Sequence, residues 1–366
     1  MKFKIDKKDF LRVLQRIQGI VEKRNSMPIL SNILIDVKSD RVYVISTDLE
    51  IFIKDSSAAE VEKEGSITVN ARKFYEIIKE LPDENVTVSL GDADKVSVKG
   101  GRAKFKIPGL DAKEFPAFPA TDENKLTEIE TDNLKEMIDK TLFATSTDET
   151  RYNINGVLFE SDGKNMKMVA TDGHRLALIE GKGEEIGGHE KGVILPRKGI
   201  TEIRKLLEDK NDPLLIGFTA KNITVKKGTV VMNLRLIEGE FPDYNQVIPK
   251  DSDKELIVDK ATLLASLKRV SILSAEKIKG VKFAISKGKL VLSSSTPENG
   301  DATEEVDIDY KGEGLEIAFN ARYFMDVLEI LDVEKIKFCV KEQLNPGVLK
   351  IPDNDSFTYV IMPMRL

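Results

Sequence analysis

The 366-residue chain carries 56 Lys and Arg against 62 Asp and Glu, a net charge of −6, with 41% hydrophobic and 32% charged residues. That is enough apolar material for real cores and too much for a disordered chain, and at roughly 100–200 residues per domain it suggests two to three domains. No apolar run approaches the ~18 residues of a membrane span. The start, Met1-Lys2-Phe3-Lys4, has no apolar run behind it to serve as a secretory signal, and the single cysteine, Cys339, cannot close an internal disulfide. A cytoplasmic protein without membrane attachment is expected.

Two absences narrow the chemistry. With two histidines, His174 and His189, and one cysteine, a Cys/His zinc site cannot be assembled. Neither G-x-x-x-x-G-K-[ST] nor G-x-G-x-x-G occurs, so no common phosphate loop is present, and no cofactor is expected. The glycine cluster from Gly181 to Gly188 fits neither pattern and reads as a flexible hairpin tip.

In chain order, Phe10, Leu11, Leu14 and Ile17 fall on one face of a first helix. Ile67-Thr68-Val69 alternates as a strand, and Phe74, Ile77, Ile78 and Leu81 give a second helix. Val86–Leu90 and Ala103–Ile107 alternate again, as half-buried strands do. Periodicity gives way to proline and charge near Pro116–Asn124. A new helix follows on Leu134, Met137 and Ile138, with Thr131 or Asp132 as its expected N-cap. Asp162-Gly163, Asp172-Gly173 and Lys227-Gly228 mark turns, Ile200, Ile203, Leu206 and Leu207 form a looser helix face, and Ile223-Thr224-Val225 is a strand. Beyond the break at Ile248–Lys254, Leu263, Leu264, Leu267 and Val270 mark a helix, and Phe324, Val327, Leu328 and Leu331 another.

These elements repeat. Thr47-Asp48-Leu49 returns as Thr171-Asp172-Gly173, and Ser295-Thr296 lies the same distance further on. Ala71-Arg72-Lys73 returns as Pro196-Arg197-Lys198 and then Ala321-Arg322, while Phe115-Pro116 returns as Phe241-Pro242. One period shared by several motifs defines three units. We read an α+β fold of three similar domains, 1–121, 122–249 and 250–366, each a doubled β-α-β-β-β pattern. A row of units joined through strand edges leaves two sticky ends, and closing the row into a ring by symmetric oligomerisation removes both.

The cations recur too. Lys8 and Arg12 lie opposite the apolar face of the first helix, and Lys268 and Arg269 lie away from that of the fifth. Arg72-Lys73 and Arg197-Lys198 sit at helix starts, where the dipole gives them nothing, and Arg24 follows the first helix. Cations placed against their own helix dipoles suggest an anionic partner. An acidic chain with local basic faces suits weak, transient phosphate contact better than tight binding.

Four segments carry a family resemblance: Thr171-Asp172-Gly173-His174-Arg175-Leu176, Pro196-Arg197-Lys198-Gly199, Phe241-Pro242-Asp243-Tyr244 and the ending Met362-Pro363-Met364-Arg365-Leu366. With them, over its full length, the chain resembles the bacterial replicative sliding clamps, the β subunits of DNA polymerase III. The resemblance implies a head-to-tail homodimer, a ring of six similar units with helices lining a hole for duplex DNA. It implies a non-catalytic processivity factor for the replicative polymerase α subunit, placed on DNA by an ATP-driven clamp loader. Repair and translesion polymerases and mismatch-repair proteins are the other implied partners. Matching positions for DNA contact are Arg24, Arg72, Lys73, Arg197 and Lys198, to which helical geometry adds Lys8, Arg12 and Lys268. The family's peptide pocket maps to Ile154, Thr171, Gly173, His174, Arg175, Leu176, Pro242 and Val247 with Val360, Met362, Pro363, Met364 and Arg365. Arg175 and Arg365 are expected to orient partner tails. Asn245-Gln246 stands where some relatives carry arginines, and the dimer seam maps to Phe105 and Ile107 on one end, Ile272 and Leu273 on the other.

Two other readings compete. Asp172, His174 and Arg175 resemble an acid–base cluster of a hydrolase, but no nucleophile is marked out and Asp172-Gly173 is better read as a turn. A protein-only scaffold leaves Lys8, Arg12, Arg24, Arg72 and Lys73 without a task.

Overall fold

Short polar residues set the helix starts. Asp6, Asn70, Asp259 and Asn320 each accept a hydrogen bond from a first-turn backbone N–H, at 3.0, 3.0, 2.7 and 2.9 Å. In the computed structural model each of these caps ends a strand and opens a helix. The structure describes residues 1–21, 27–82, 84–148, 150–183, 192–209, 211–249, 253–275 and 279–365.

The chain is α+β, with one pattern written three times. The first copy runs β1 (Lys2–Asp6), α1 (Lys7–Ile17), β2 (Asn32–Lys38), β3 (Arg41–Thr47), β4 (Ile51–Ala58), β5 (Glu60–Lys63), β6 (Gly65–Asn70), α2 (Ala71–Glu80), β7 (Asn85–Leu90), β8 (Lys95–Gly100) and β9 (Ala103–Leu110). The second runs β10 (Thr127–Ile129), α3 (Thr131–Asp139), β11 (Gly156–Ser161), β12 (Asn165–Thr171), β13 (Arg175–Lys182), β14 (Val193–Pro196), α4 (Arg197–Leu206), β15 (Leu214–Phe218), β16 (Asn222–Lys227) and β17 (Val230–Arg235). The third runs β18 (Lys254–Asp259), α5 (Lys260–Val270), β19 (Gly280–Ser286), β20 (Lys289–Thr296), β21 (Gly300–Asp307), β22 (Leu315–Asn320), α6 (Ala321–Ile330), β23 (Lys335–Val340), β24 (Gly347–Ile351) and β25 (Asn354–Ile361). Among the described residues the small strand β5 is the one addition to the expected pattern.

Two compact units result. One holds Met1–Thr131 with Lys205–Leu236, and the other holds the rest of the described chain. Within the first, β17 pairs antiparallel with β4, Leu234 opposite Ile51, so the last strand of the second copy extends a sheet of the first. Within the second, β25 pairs with β13, Val360 opposite Leu176, and does the same for the third copy and the second.

The cores are apolar and tightly interlocked. Phe3, Phe10 and Phe74 meet edge to face at 6.0 and 5.7 Å, seating α1 and α2 on the first copy's core. Phe283, Phe319, Phe324 and Phe338 form the corresponding cluster in the third copy. Lys7 and Lys260 each send Nζ to a carbonyl just past the neighbouring helix, Leu81 and Leu331, where a cation suits the helix dipole. Ile200, Ile203, Leu206 and Leu207 are buried, so the looser middle helix presents the face read from sequence.

Three expectations change. Helix α3 begins at Thr131, so Thr131 and Asp132 lie inside its first turn and do not cap it. Gly181 and Lys182 end strand β13 instead of forming a hairpin tip, and 184–191, with His189, lie outside the described residues. Phe105 in β9 is 39% exposed, because along Ala103–Pro108 that strand is paired, among the described residues, on β8 alone.

Candidate functional site

The repeated Thr-Asp motif is a turn that builds one wall of a groove. At Thr171–Arg175, Thr171 Oγ1 accepts from Gly173 N (3.0 Å), and Asp172 Oδ1 accepts from the N–H groups of His174 (2.9 Å) and Arg175 (3.1 Å). The same bonds recur at Thr47–Ile51, where Leu49 takes the place of Gly173. Both residues have positive φ, 78° for Leu49 and 89° for Gly173, a conformation that costs Leu more. At 173 a Cβ would also stand 2.7 Å from Arg151 Nη2, the far end of a flexible side chain that would have to shift.

Leu176 and Val360 lie opposite each other across the β13–β25 pairing, and Met362 N donates to His174 O at 2.9 Å. Between these walls lies an open groove of about 170 Å³, lined by Arg151, Ile154, Thr171, Gly173, Arg175, Leu176, Pro242, Tyr244, Val247, Val360 and Met362. Its floor is the apolar cluster of Leu158, Val169, Leu176, Leu178, Ile194, Tyr244 and Val360. Concave, mostly apolar and edged by a few fixed polar groups, it suits short apolar segments of extended peptide.

Nine of the thirteen expected pocket residues line the groove. His174, Pro363, Met364 and Arg365 do not. The His174 ring stacks on Tyr323 at 6.4 Å, Met364 pairs its backbone with Ala318, and Arg365 is exposed. Two lining residues escaped the sequence reading. Tyr244 sat in plain view in Phe241-Pro242-Asp243-Tyr244; its hydroxyl donates to Glu160 (2.9 Å), and burial, reinforced by Glu160, pushes its pKa up. Arg151 had no local signal. It reaches the groove by donating from Nη1 to Asp172 O at 2.8 Å, a contact only the fold brings together.

Arg175 corrects an expectation. Its Nε donates to Asp172 (3.0 Å), Nη1 to Asp326 (2.6 Å) and Nη2 to Phe143 O (2.8 Å), and the side chain is 9% exposed. It is therefore spent inside the protein and is not free to orient a partner's carboxylate. Burial opposes its charge, but Tyr359, Asp326 and Asp172 outweigh that and raise its pKa. The acid–base cluster dissolves with it: the Asp172 carboxylate serves the turn and Arg175, and the histidine ring packs on tyrosine. Among the described residues no group of His, Cys, Asp and Glu is arranged to hold a metal ion, and no helix is long and apolar enough to cross a membrane.

The expected DNA-contact cations are mostly surface groups. Lys8, Arg12, Arg72, Lys73 and Lys268 are exposed; Arg197 and Lys198 are half-buried; Arg24 lies outside the described residues. Arg72 and Lys73 both bond Glu76, holding that carboxyl below its usual range, while Arg12 is 3.8 Å from Asp9 and Lys268 is 2.6 Å from Glu329. Exposed pairs of this kind contribute little to stability and are easily exchanged for another anion. Arg197 Nη1 reaches Thr145 O at 3.4 Å. Of the seam positions, Ile272 is 72% exposed, and Ile107 and Leu273 are half-buried.

Models of three domains of the DNA polymerase III beta subunit match in series: the N-terminal domain over residues 1–119, the central domain over 128–243 and the C-terminal domain over 245–365. The beta sliding clamp of Caulobacter vibrioides is 37% identical, and that of Pseudomonas putida 36%, each over the full length of both chains. Among solved structures, a Caulobacter crescentus beta sliding clamp superposes with a TM-score of 0.94 at 37% identity, and the Pseudomonas aeruginosa polymerase III subunit beta with 0.95 at 35%, each covering both chains completely. The three-copy α+β architecture and these full-length matches define the class of the chain as a DNA clamp. The chain belongs to the DNA polymerase III beta subunit family, the bacterial beta sliding clamps. Its role is that of a non-catalytic processivity factor in DNA replication, acting with DNA and polymerase as a homodimer.

Proposed function

We propose that two copies close head to tail into a ring around duplex DNA through strands β9 and β21. One observation carries this reading. The fourth-strand position of one copy takes the last strand of the next twice within the chain, β4 with β17 and β13 with β25. Among the described residues, β21, the fourth strand of the third copy, receives no such strand, and β9, the last strand of the first copy, extends no fourth strand. β21 lies at the edge of its sheet, and β9 is open along Ala103–Pro108. Their charges are complementary: Lys104 and Lys106 are exposed on β9, and Asp301, Glu305 and Asp307 on β21. Phe105 and Ile107 on one end, with Ile272 and Leu273 on the other, supply the apolar contact. Pairing β9 with a partner's β21 satisfies both edges on both protomers and closes the assembly.

In this ring, retention comes from enclosure. Lys8, Arg12, Arg24, Arg72, Lys73, Arg197, Lys198 and Lys268 make weak, sequence-independent phosphate contacts, those of Arg12, Arg72, Lys73 and Lys268 in exchange for a neighbouring carboxylate, so the duplex slides. The groove docks the replicative polymerase α subunit, and by the same chemistry the clamp loader, repair and translesion polymerases and mismatch-repair proteins. The domains divide at 1–121, 122–249 and 250–366, and the protein works in the cytoplasm. On a long primed template with polymerase, loader, ATP and a trap for released polymerase, the chain should lengthen the product of a single binding event many-fold. Unchanged product lengths would contradict the proposal.

A further inference from the structure

We infer that Asp326, which does not line the groove, is a positioning residue for peptide docking, acting through Arg175. The inference rests on the groove being the peptide dock. Asp326 lies on α6, one turn after Tyr323, so both face the Thr171–Arg175 turn. Tyr323 lies 4.6 Å from the Arg175 guanidinium and stacks on the His174 ring, while Asp326 Oδ2 takes Nη1 of Arg175 at 2.6 Å. On the other side the guanidinium meets the Phe143 ring at 5.3 Å and the Phe143 carbonyl at 2.8 Å. Its Nε holds Asp172 Oδ2, and the other oxygen of that carboxylate fixes the turn carrying Gly173 and His174.

The chain of contacts is therefore continuous. Asp326 holds Arg175, Arg175 holds Asp172, Asp172 shapes the turn, and His174 O anchors Met362, the opposite lip. A flat guanidinium with five donors can satisfy these partners at once, and a lysine ammonium cannot. Removing the charge of Asp326 leaves Asp172 as the sole carboxylate on Arg175. The guanidinium then settles toward Asp172, and the turn loses its fixed distance from Met362. The spacing of Leu176 and Gly173 from Val360 and Met362 is what a peptide side chain measures.

The test uses the full chain, a fluorescent pentapeptide bearing two leucines and a terminal phenylalanine, and four variants: Asp326→Asn, Asp326→Glu, Arg175→Met and the double variant Asp326→Asn with Arg175→Met. Asp326→Asn should weaken peptide binding about tenfold, and Asp326→Glu should recover most of it. In the Arg175→Met background Asp326→Asn should change affinity less than twofold, a non-additivity that simple loss of stability does not produce. Melting curves establish that each variant is folded at the assay temperature; if Asp326→Asn is not, the recovery in Asp326→Glu relative to Arg175→Met decides. Full affinity in folded Asp326→Asn, or equal losses in both backgrounds, overturns the inference while the dock stands. No peptide binding to the unaltered chain overturns the dock itself, and the inference with it.

Discussion

Replacing Ile272 and Leu273 together by aspartate will convert the dimer to monomers at concentrations where the parent chain is fully paired. The reason lies in what those positions face. Ile272 stands 72% exposed on a single chain, an exposure a large apolar residue tolerates when another surface covers it. Apolar anchors at the centre of an interface are worth about 2 kcal/mol or more each, so losing two costs about 4 kcal/mol, near a thousandfold in dissociation constant. The new carboxylates would also stand near an edge already carrying Asp301, Glu305 and Asp307, adding like charge. Sedimentation velocity reads the outcome. A variant still dimeric at nanomolar concentration would show that the seam lies elsewhere.

Removing Met362 to Leu366 will abolish binding of polymerase-tail peptides and leave the dimer intact. Strand β25 ends at Ile361, so its pairing with β13 and β24 survives the cut. What goes is the Met362 lip, together with the Met362–His174 and Met364–Ala318 backbone bonds. Two such bonds are worth about 2 kcal/mol, a modest loss for a chain with cores of this size. Peptide binding by fluorescence anisotropy and mass by sedimentation separate the two effects. Loss of the dimer along with the peptide would mean that groove and seam are not independent.

The sequence carried the periodic parts of this molecule. Phe10, Leu14 and Ile17, or Leu263, Leu267 and Val270, announce buried helix faces because burial on a helix recurs every three to four residues. The turn at Thr171–Arg175 was legible because its hydrogen bonds are local and its first copy, at Thr47, carries the same side chains. Less was legible where the fold joins distant residues. Nothing near Arg151 in the chain announces that its guanidinium ends on the carbonyl of Asp172, nor near Arg175 that its partner is Asp326 on α6. Strand β9 was legible in part: Phe105 and Ile107 alternate as in a half-buried strand, but Phe105 is 39% exposed along the stretch that β6 does not pair. A pattern of apolar positions reports that something covers them and is silent about which molecule does.

Enclosure predicts a dependence on the topology of the DNA that no adhesive interaction shares. The chain should be loaded onto a nicked circular duplex with loader and ATP, freed of loader by gel filtration, and divided into two samples, one cut once with a restriction enzyme. On intact circles the protein should stay in the DNA fraction through filtration at moderate salt; on the linear DNA it should run off the ends and elute alone. Equal retention on both forms, or equal loss from both, would contradict the account.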